Sequence, residues 1–343
     1  MRAIVYSETG DPSVLRLVER EVADPHPGEV RVRMVVSGVN PTDWKSRRGA
    51  AAGEALPFAE VVPNQDGAGV IDAVGAGVER FTVGERVWLA LAAYQRANGG
   101  TAQEFAIVPA ERVYRLPEAG SFELGASLGV PAMTAHRALT VAEDGPARLG
   151  PGALAGKVVL VAGGAGAVGH AAIQLARWAG ATVITTVSSA PKAALAGAAG
   201  AHHVVNYRES EASVEIRHLA PDGVDLVVEV APAQNAELNL AVIRNRGSIA
   251  VYANNGGDAL TLDVRRHFGL NLRYQFLLLY TVGQDARDAA AADINAAIAD
   301  GALPVGDHAG LPLHRFDLAH TADAHTAVEN DAVGKVLIEV GTA

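Results

Sequence analysis

The residues with the most chemical content lie near the middle of the chain. Gly164-Ala165-Gly166-Ala167-Val168-Gly169 spells G-x-G-x-x-G. Alone the pattern is weak in a chain with 37 glycines. Here it is preceded by an apolar run, Val158-Val159-Leu160-Val161, and opens a helix-like stretch from Val168 to Ala179, which is the context the motif needs. In that setting Gly164 permits the tight turn, Gly166 lets the backbone approach a pyrophosphate, and Gly169 lets helix and strand pack closely. The helix N-terminus then presents free N–H groups and a positive dipole end to an anion. The chemistry predicted is dinucleotide binding.

The next strand discriminates between nicotinamide cofactors. NAD-binding chains usually place Asp or Glu at its end, to bond the ribose 2′-hydroxyl. Here Thr182-Val183-Ile184-Thr185-Thr186-Val187 runs into Ser188-Ser189 with no acid, and Lys192 follows. Lysine is scarce in this chain, four residues against 24 arginines. A missing carboxylate removes repulsion, and hydroxyls with an ammonium suit a 2′-phosphate. Ser188 and Lys192 therefore point to NADPH. The competing reading of Lys192 is a solvated lysine at a helix start.

Other chemistries are excluded by what is missing. The chain has no Cys, so disulfides, thiolate catalysis and Cys-based zinc sites are ruled out. None of the 11 His forms an i, i+4 pair with an adjacent Glu, and no metal site is expected. The formal net charge of −10, with no basic run beyond the pairs Arg47-Arg48 and Arg265-Arg266, argues against a nucleic-acid partner. No uninterrupted apolar run reaches the roughly 18 residues a spanning helix needs. The start, Met1-Arg2-Ala3-Ile4-Val5-Tyr6, lacks the apolar stretch of a signal peptide, so a cytoplasmic location is expected.

These residues need two kinds of scaffold. To about residue 125 the chain reads as short strands between glycine turns. Val30-Arg31-Val32-Arg33-Met34 alternates with period two, and 67–71, 86–89 and 105–108 look like further strands, an all-β, barrel-like pattern. From Lys157 strands and helices alternate, as in a parallel, doubly wound α/β sheet. After about residue 265 the alternation ends. Leu270–Tyr280 is strand-like, 286–299 helical, and Lys335–Val340 a closing strand.

The segment Val161–Gly169 followed by Gln174-Leu175-Ala176-Arg177 resembles the nucleotide loop of the zinc-independent quinone oxidoreductase and zeta-crystallin branch of the medium-chain dehydrogenase/reductases. Ser37–Asp43, Asp66–Val70, Val130–Ala135, Val205-Asn206-Tyr207 and Gly334-Lys335-Val336 agree with it. The resemblance implies a Rossmann domain (126–265) inserted into a GroES-like β-barrel domain (1–125 plus 266–343), with NADPH in the cleft between them. It further implies that Lys192 and Tyr207 hold the 2′-phosphate, and that Asn40 and Thr134 line the nicotinamide end. In zinc-using relatives the metal ligands fall at Asn40, Gln65 and Val130, and none of these is a competent zinc ligand. Lys45 stands where quinone reductases often carry Tyr. The family pairs its sheets across a dimer near 270–280, so a homodimer or homotetramer is expected.

Without a metal, the chemistry must rest on positioning and on donors for charge developing on the acceptor oxygen. Asn40 and Lys45 are the candidate donors, with Thr42 as a candidate proton relay. The bland alternatives are that Asn40 caps a turn before Pro41 and that Lys45 is solvated. The acceptor class stays open between a quinone and the activated C=C of an enone or alkenal. A structural or RNA-binding NADPH protein of the crystallin kind is the remaining alternative.

Overall fold

The computed structural model describes residues 1–342. The chain divides into two compact units, Met1–Val130 with the segment from Pro312 onward, and Pro131–Leu311.

In the first unit a long strand, β3 (Glu29–Val39), is the spine. The predicted alternation holds, because Val30, Val32 and Met34 are fully buried. β3 pairs antiparallel with β4 (Asp66–Val74), β6 (Phe105–Pro109) and β15 (Lys335–Glu339). β5 (Arg86–Leu89), β7 (Val113–Arg115) and β14 (Leu313–Asp317) complete a sheet of order β14-β15-β3-β4-β5-β7, while β1 (Arg2–Val5) and β2 (Arg16–Glu19) form a separate pair. Two helices belong here, α1 (Pro41–Arg48) and α9 (Thr321–Glu329). Register decides what meets at one end of this sheet. Gly38 lies opposite Asp66, and Val39 opposite Val336. Asn40, Asp66 and Lys335 are thereby neighbours, although 26 and 295 residues separate Asn40 from the other two.

α2 (Phe122–Leu139) crosses from the first unit into the second, with Pro131 inside it. The second unit holds six parallel strands, β8 (Val158–Ala162), β9 (Thr182–Val187), β10 (His203–Asn206), β11 (Val224–Glu229), β12 (Ile243–Val251) and β13 (Arg273–Phe276). Their order is β10-β9-β8-β11-β12-β13, so the winding reverses between β8 and β11. α3 (Ala167–Trp178), α4 (Ala190–Ala198), α5 (Ala212–Leu219), α6 (Pro232–Val242), α7 (Val264–Gly269) and α8 (Gln284–Ala299) cover it. The run Val159-Leu160-Val161 is buried, as a strand covered on both faces requires.

The crossings between the two compact units fall at 130/131 and 311/312, beside the 125/126 and 265/266 that the sequence suggests. The α/β alternation continues past residue 265, because β13 pairs in parallel with β12. The strandless stretch 253–263 interrupts the periodicity and hides this. Of Leu270–Tyr280 only Arg273–Phe276 is strand; Leu279–Thr281 is a short 3-10 turn. Among the described residues no helix is long and apolar enough to cross a membrane.

Candidate functional site

The nucleotide loop of the second unit is built from backbone. β8 ends at Ala162, and Gly163 turns the chain with φ +70°, in the left-handed region where glycine is favoured. The N–H groups of Gly163 and Gly164 both donate to the Thr186 carbonyl, at 3.1 and 3.3 Å, tying the turn to β9. A Cβ on Gly164 would sit 2.1 Å from Thr185 Oγ1, and one on Gly169 would sit 2.4 Å from the Gly163 carbonyl oxygen. On Gly166 the nearest atom would be 3.5 Å away. Gly164 and Gly169 are thus demanded by packing, whereas Gly166 faces open space at the start of α3. That helix has no side-chain cap, leaving its first N–H groups available to an anion. Gly164 stands inside the turn closed by the Gly166 N–H to the Gly163 carbonyl at 3.0 Å, and the positive φ of that turn falls on Gly163.

At the other end of this loop region β9 stops at Val187. Ser189 caps α4, its Oγ accepting from the Lys192 N–H at 3.5 Å, and Lys192 Nζ lies 3.4 Å from Ser188 Oγ. Tyr207 follows β10 and is anchored by its N–H to the Val187 carbonyl at 3.1 Å, with its ring half exposed. The Arg208 guanidinium lies 5.8 Å from that ring centroid. Ser188, Lys192 and Tyr207 therefore gather at one strand end, and among the described residues Lys192 pairs with no carboxylate. At the carboxyl ends of β12 and β13 a cavity of about 350 Å³ is lined partly by Val251, Tyr252, Phe276 and Leu278.

The first unit carries a cluster of buried polar side chains. Asn40 stands just before α1 but does not spend its side chain on capping. Its Nδ2 donates to Asp66 Oδ2 at 2.7 Å, and its Oδ1 accepts from Lys335 Nζ at 2.7 Å. Asp66 also accepts the Val130 N–H at 2.9 and 3.0 Å, and Lys335 Nζ is 3.7 Å from Asp66 Oδ2. Asp43 accepts the backbone N–H groups of Asn40 and Gln65 at 2.7 and 3.1 Å. All four side chains, Asn40, Asp43, Asp66 and Lys335, are at most 3% exposed.

These features have close counterparts. A family model described as alcohol dehydrogenase GroES-like domain matches residues 26–118, and one described as zinc-binding dehydrogenase matches residues 167–294. The chain is 36% identical to a quinone oxidoreductase of Mus musculus over 256 residues, 73% of this chain and 72% of that protein. The chain belongs to the quinone oxidoreductase family. Within the medium-chain dehydrogenase/reductases this is the zinc-independent branch that includes zeta-crystallin. The chain is also 32% identical to a 2-haloacrylate reductase of Burkholderia, over 79% of this chain and 78% of that one. The structure of Escherichia coli quinone oxidoreductase complexed with NADPH superposes with a TM-score of 0.80 at 26% identity, covering 99% of this chain and 100% of that one.

In this oxidoreductase Asn40, Gln65 and Val130 are linked through two buried carboxylates. Asn40 and Val130 meet on Asp66, and Gln65 is joined to them through Asp43. An ammonium, Lys335, lies among them. Burial first, and then the Asp66 charge, push the Asp43 carboxyl up to about 7, against the pull of Lys335 and two backbone N–H donors. Burial likewise raises Asp66 and lowers Lys335. Thr42 is half-buried on α1. Lys45 is apart from the cluster, exposed, with Nζ 5.7 Å from the Trp44 ring centroid. Thr134 lies on the second-unit part of α2 and is 7% exposed.

Sequence reasoning gave no role to Asp43, Asp66, Lys335 or Arg208. A signal for Lys335 existed, since a lysine opening the apolar strand Lys335-Val336-Leu337-Ile338 must bury an ammonium or find an acid. Its partners could not be named without the register of β3, β4 and β15.

Proposed function

We propose that this oxidoreductase uses NADPH to reduce a quinone without a metal ion. The observation that carries the cofactor choice is the end of β9, which offers Ser188 and Lys192 beside Tyr207 and Arg208, and no carboxylate. NADPH bound there supplies the hydride. The chain's own residues do the rest. The backbone from Gly163 to Gly169 with the α3 N-terminus holds the pyrophosphate, and Gly166 has the open side that close approach needs. Lys192 and Arg208 neutralise the 2′-phosphate, and the Ser188 and Tyr207 hydroxyls donate to it. Thr134, on the second-unit part of α2, lines the nicotinamide end. The remaining Nδ2 hydrogen of Asn40 is the donor for the acceptor oxygen, with Thr42 as the proton relay.

A second reading, reduction of an activated C=C bond, is supported by the likeness to the 2-haloacrylate reductase. Both reactions need a hydride delivered to an electron-poor carbon or oxygen held in place. A turnover screen of quinones against enones and haloacrylates with NADPH tests both. Failure of every acceptor in both classes contradicts the proposal, as does zinc that is stoichiometric and essential in chelator-treated enzyme.

The proposal includes a homodimer or homotetramer in the cytoplasm, acting on a small molecule and not on nucleic acid or membrane. β13 is the edge strand of its sheet, and Phe276 and Leu278 beside it are 62% and 58% exposed. An unpaired edge flanked by exposed apolar side chains favours pairing with a second copy. Light scattering at micromolar concentration would contradict this with a monomer mass.

A further inference from the structure

Lys335 is the only one of the four lysines that is buried, and its surroundings are built to keep it so. A Cβ on Gly38 would sit 2.1 Å from the Ala126 carbonyl oxygen and 3.1 Å from Lys335 Cε. One on Gly129 would sit 2.0 Å from Asp66 Oδ1. Two glycines therefore make room for the ammonium and the carboxylate. The Asp66 backbone is fixed as well, since its carbonyl accepts from Thr101 Oγ1 at 2.6 Å, and that hydroxyl is 2.7 Å from Ser37 Oγ.

The consequence falls on Asn40. A primary amide has two acceptor lone pairs at one end and two N–H groups at the other, and can flip end for end. Lys335 Nζ can only donate to it, and the Asp66 carboxylate can only accept, so the two together allow one orientation. Asp66 uses one Nδ2 hydrogen and leaves the second. We propose that Lys335 is a positioning residue for the reduction: its ammonium, with Asp66, locks the Asn40 amide so that the second Nδ2 hydrogen is held for the acceptor oxygen. The fixed positive charge also favours negative charge developing on that oxygen, because buried charges are weakly screened. This rests on the reading of Asn40 as the donor to the acceptor. Burial opposes the charge on both groups; the Asp66 and Asp43 carboxylates facing Lys335, and the hydrogen bonds from Asn40 and the Val130 N–H to Asp66, act in favour of the ionised pair.

Two measurements test it. The first uses the wild-type protein with lysine labelled at Cε with ¹³C. Its four lines can be sorted with a soluble paramagnetic agent, and Lys335 is the line least broadened. The chemical shift of an ammonium-bearing Cε at pH 7 is expected, and that of a neutral amine overturns the proposal. The second compares Lys335→Met/Asp66→Asn with Asn40→Ala. The double variant removes both charges with side chains of similar size, and melting and NADPH titration verify its fold and cofactor binding. With a quinone and saturating NADPH its kcat should fall by about 100-fold, the scale of a misplaced group, with KM for NADPH unchanged. A merely structural lysine would be rescued by the neutral pair, so wild-type kcat in the double variant overturns the proposal. Wild-type kcat in Asn40→Ala overturns it too, and removes the reading of Asn40 on which it rests.

Discussion

The nucleotide loop is one stretch of backbone, seven residues from Gly163 to Gly169, whereas the polar cluster of the first unit is made of side chains from three stretches, at 40–43, 66 and 335, joined by the backbone N–H groups of Gln65 and Val130. The loop presents N–H groups that every residue type has, and its sequence is constrained only where a Cβ would collide. The cluster presents charge, and its sequence is constrained by what each buried group needs as a partner. Both designs should be sensitive to added atoms where a glycine makes room, and the second to the loss of a charge as well.

The largest effect that separates them is the loss of one charge. Lys335→Met leaves Asp66 fully buried without its cation, which should cost about 3–5 kcal/mol in urea unfolding. A loss under 1 kcal/mol would mean that Asp66 is held neutral and the ion pair is not formed.

Protonation is a subtler change of charge, and it acts on both units through buried histidines. Burial pushes His170, bonded to the Ala309 carbonyl in the second unit, down to about 4 from an ordinary 6.5. Burial, followed by the nearby Arg47 charge, pushes His325, bonded to Asn64 in the first unit, down to about 3. Between 6.5 and these values the unfolded chain binds protons that the folded chain refuses, so stability rises with pH across the window. The contribution is fully present above about 6.5 and is lost as pH falls to about 4 and then 3. For His170 the shift corresponds to roughly 3 kcal/mol. Asp43 opposes this: its carboxyl is raised to about 7 from 3.8, so its contribution falls as pH rises between those values. His170→Gln should therefore flatten the decline in melting temperature between pH 6.5 and 4. An unchanged slope would show that His170 is not neutral in the fold.

Much of the second unit was legible because its signals are local. The strand boundaries of β9 and the motif from Gly164 follow from propensity and from glycines that stand next to one another in the chain. The exception was the end of the sheet, where the strandless stretch 253–263 breaks the period before β13. The first unit was legible only in its strands, such as β3. Its cluster depends on register, and nothing local to Lys335 reveals that Asn40 lies beside it. Lys45 illustrates the converse, for it stands near Asn40 in sequence while its ammonium lies over Trp44.

The loop's own sensitivity is steric and smaller. Gly169→Ala sets a methyl 2.4 Å from the Gly163 carbonyl oxygen, a backbone atom that cannot swing aside. It should cost about 1–3 kcal/mol of stability. Gly166→Ala meets nothing closer than 3.5 Å. It should leave stability within about 0.5 kcal/mol while weakening NADPH binding, since the methyl enters the space the pyrophosphate needs. Equal destabilisation by the two substitutions would contradict the division of labour between these glycines.

The most direct test of the account is the ratio of kcat/KM for NADPH to that for NADH, measured in wild-type enzyme and in Lys192→Ala. Charge-assisted bonds to a phosphate contribute roughly 1.5–3 kcal/mol each when well formed, and screening at this half-exposed strand end places Lys192 near the lower figure. Wild-type enzyme should prefer NADPH. Lys192→Ala should raise KM for NADPH about ten-fold, since about 1.4 kcal/mol is one decade, and leave NADH use unchanged. Equal use of the two cofactors by the wild type, or equal loss of both in the variant, would contradict a 2′-phosphate site at Ser188, Lys192 and Tyr207.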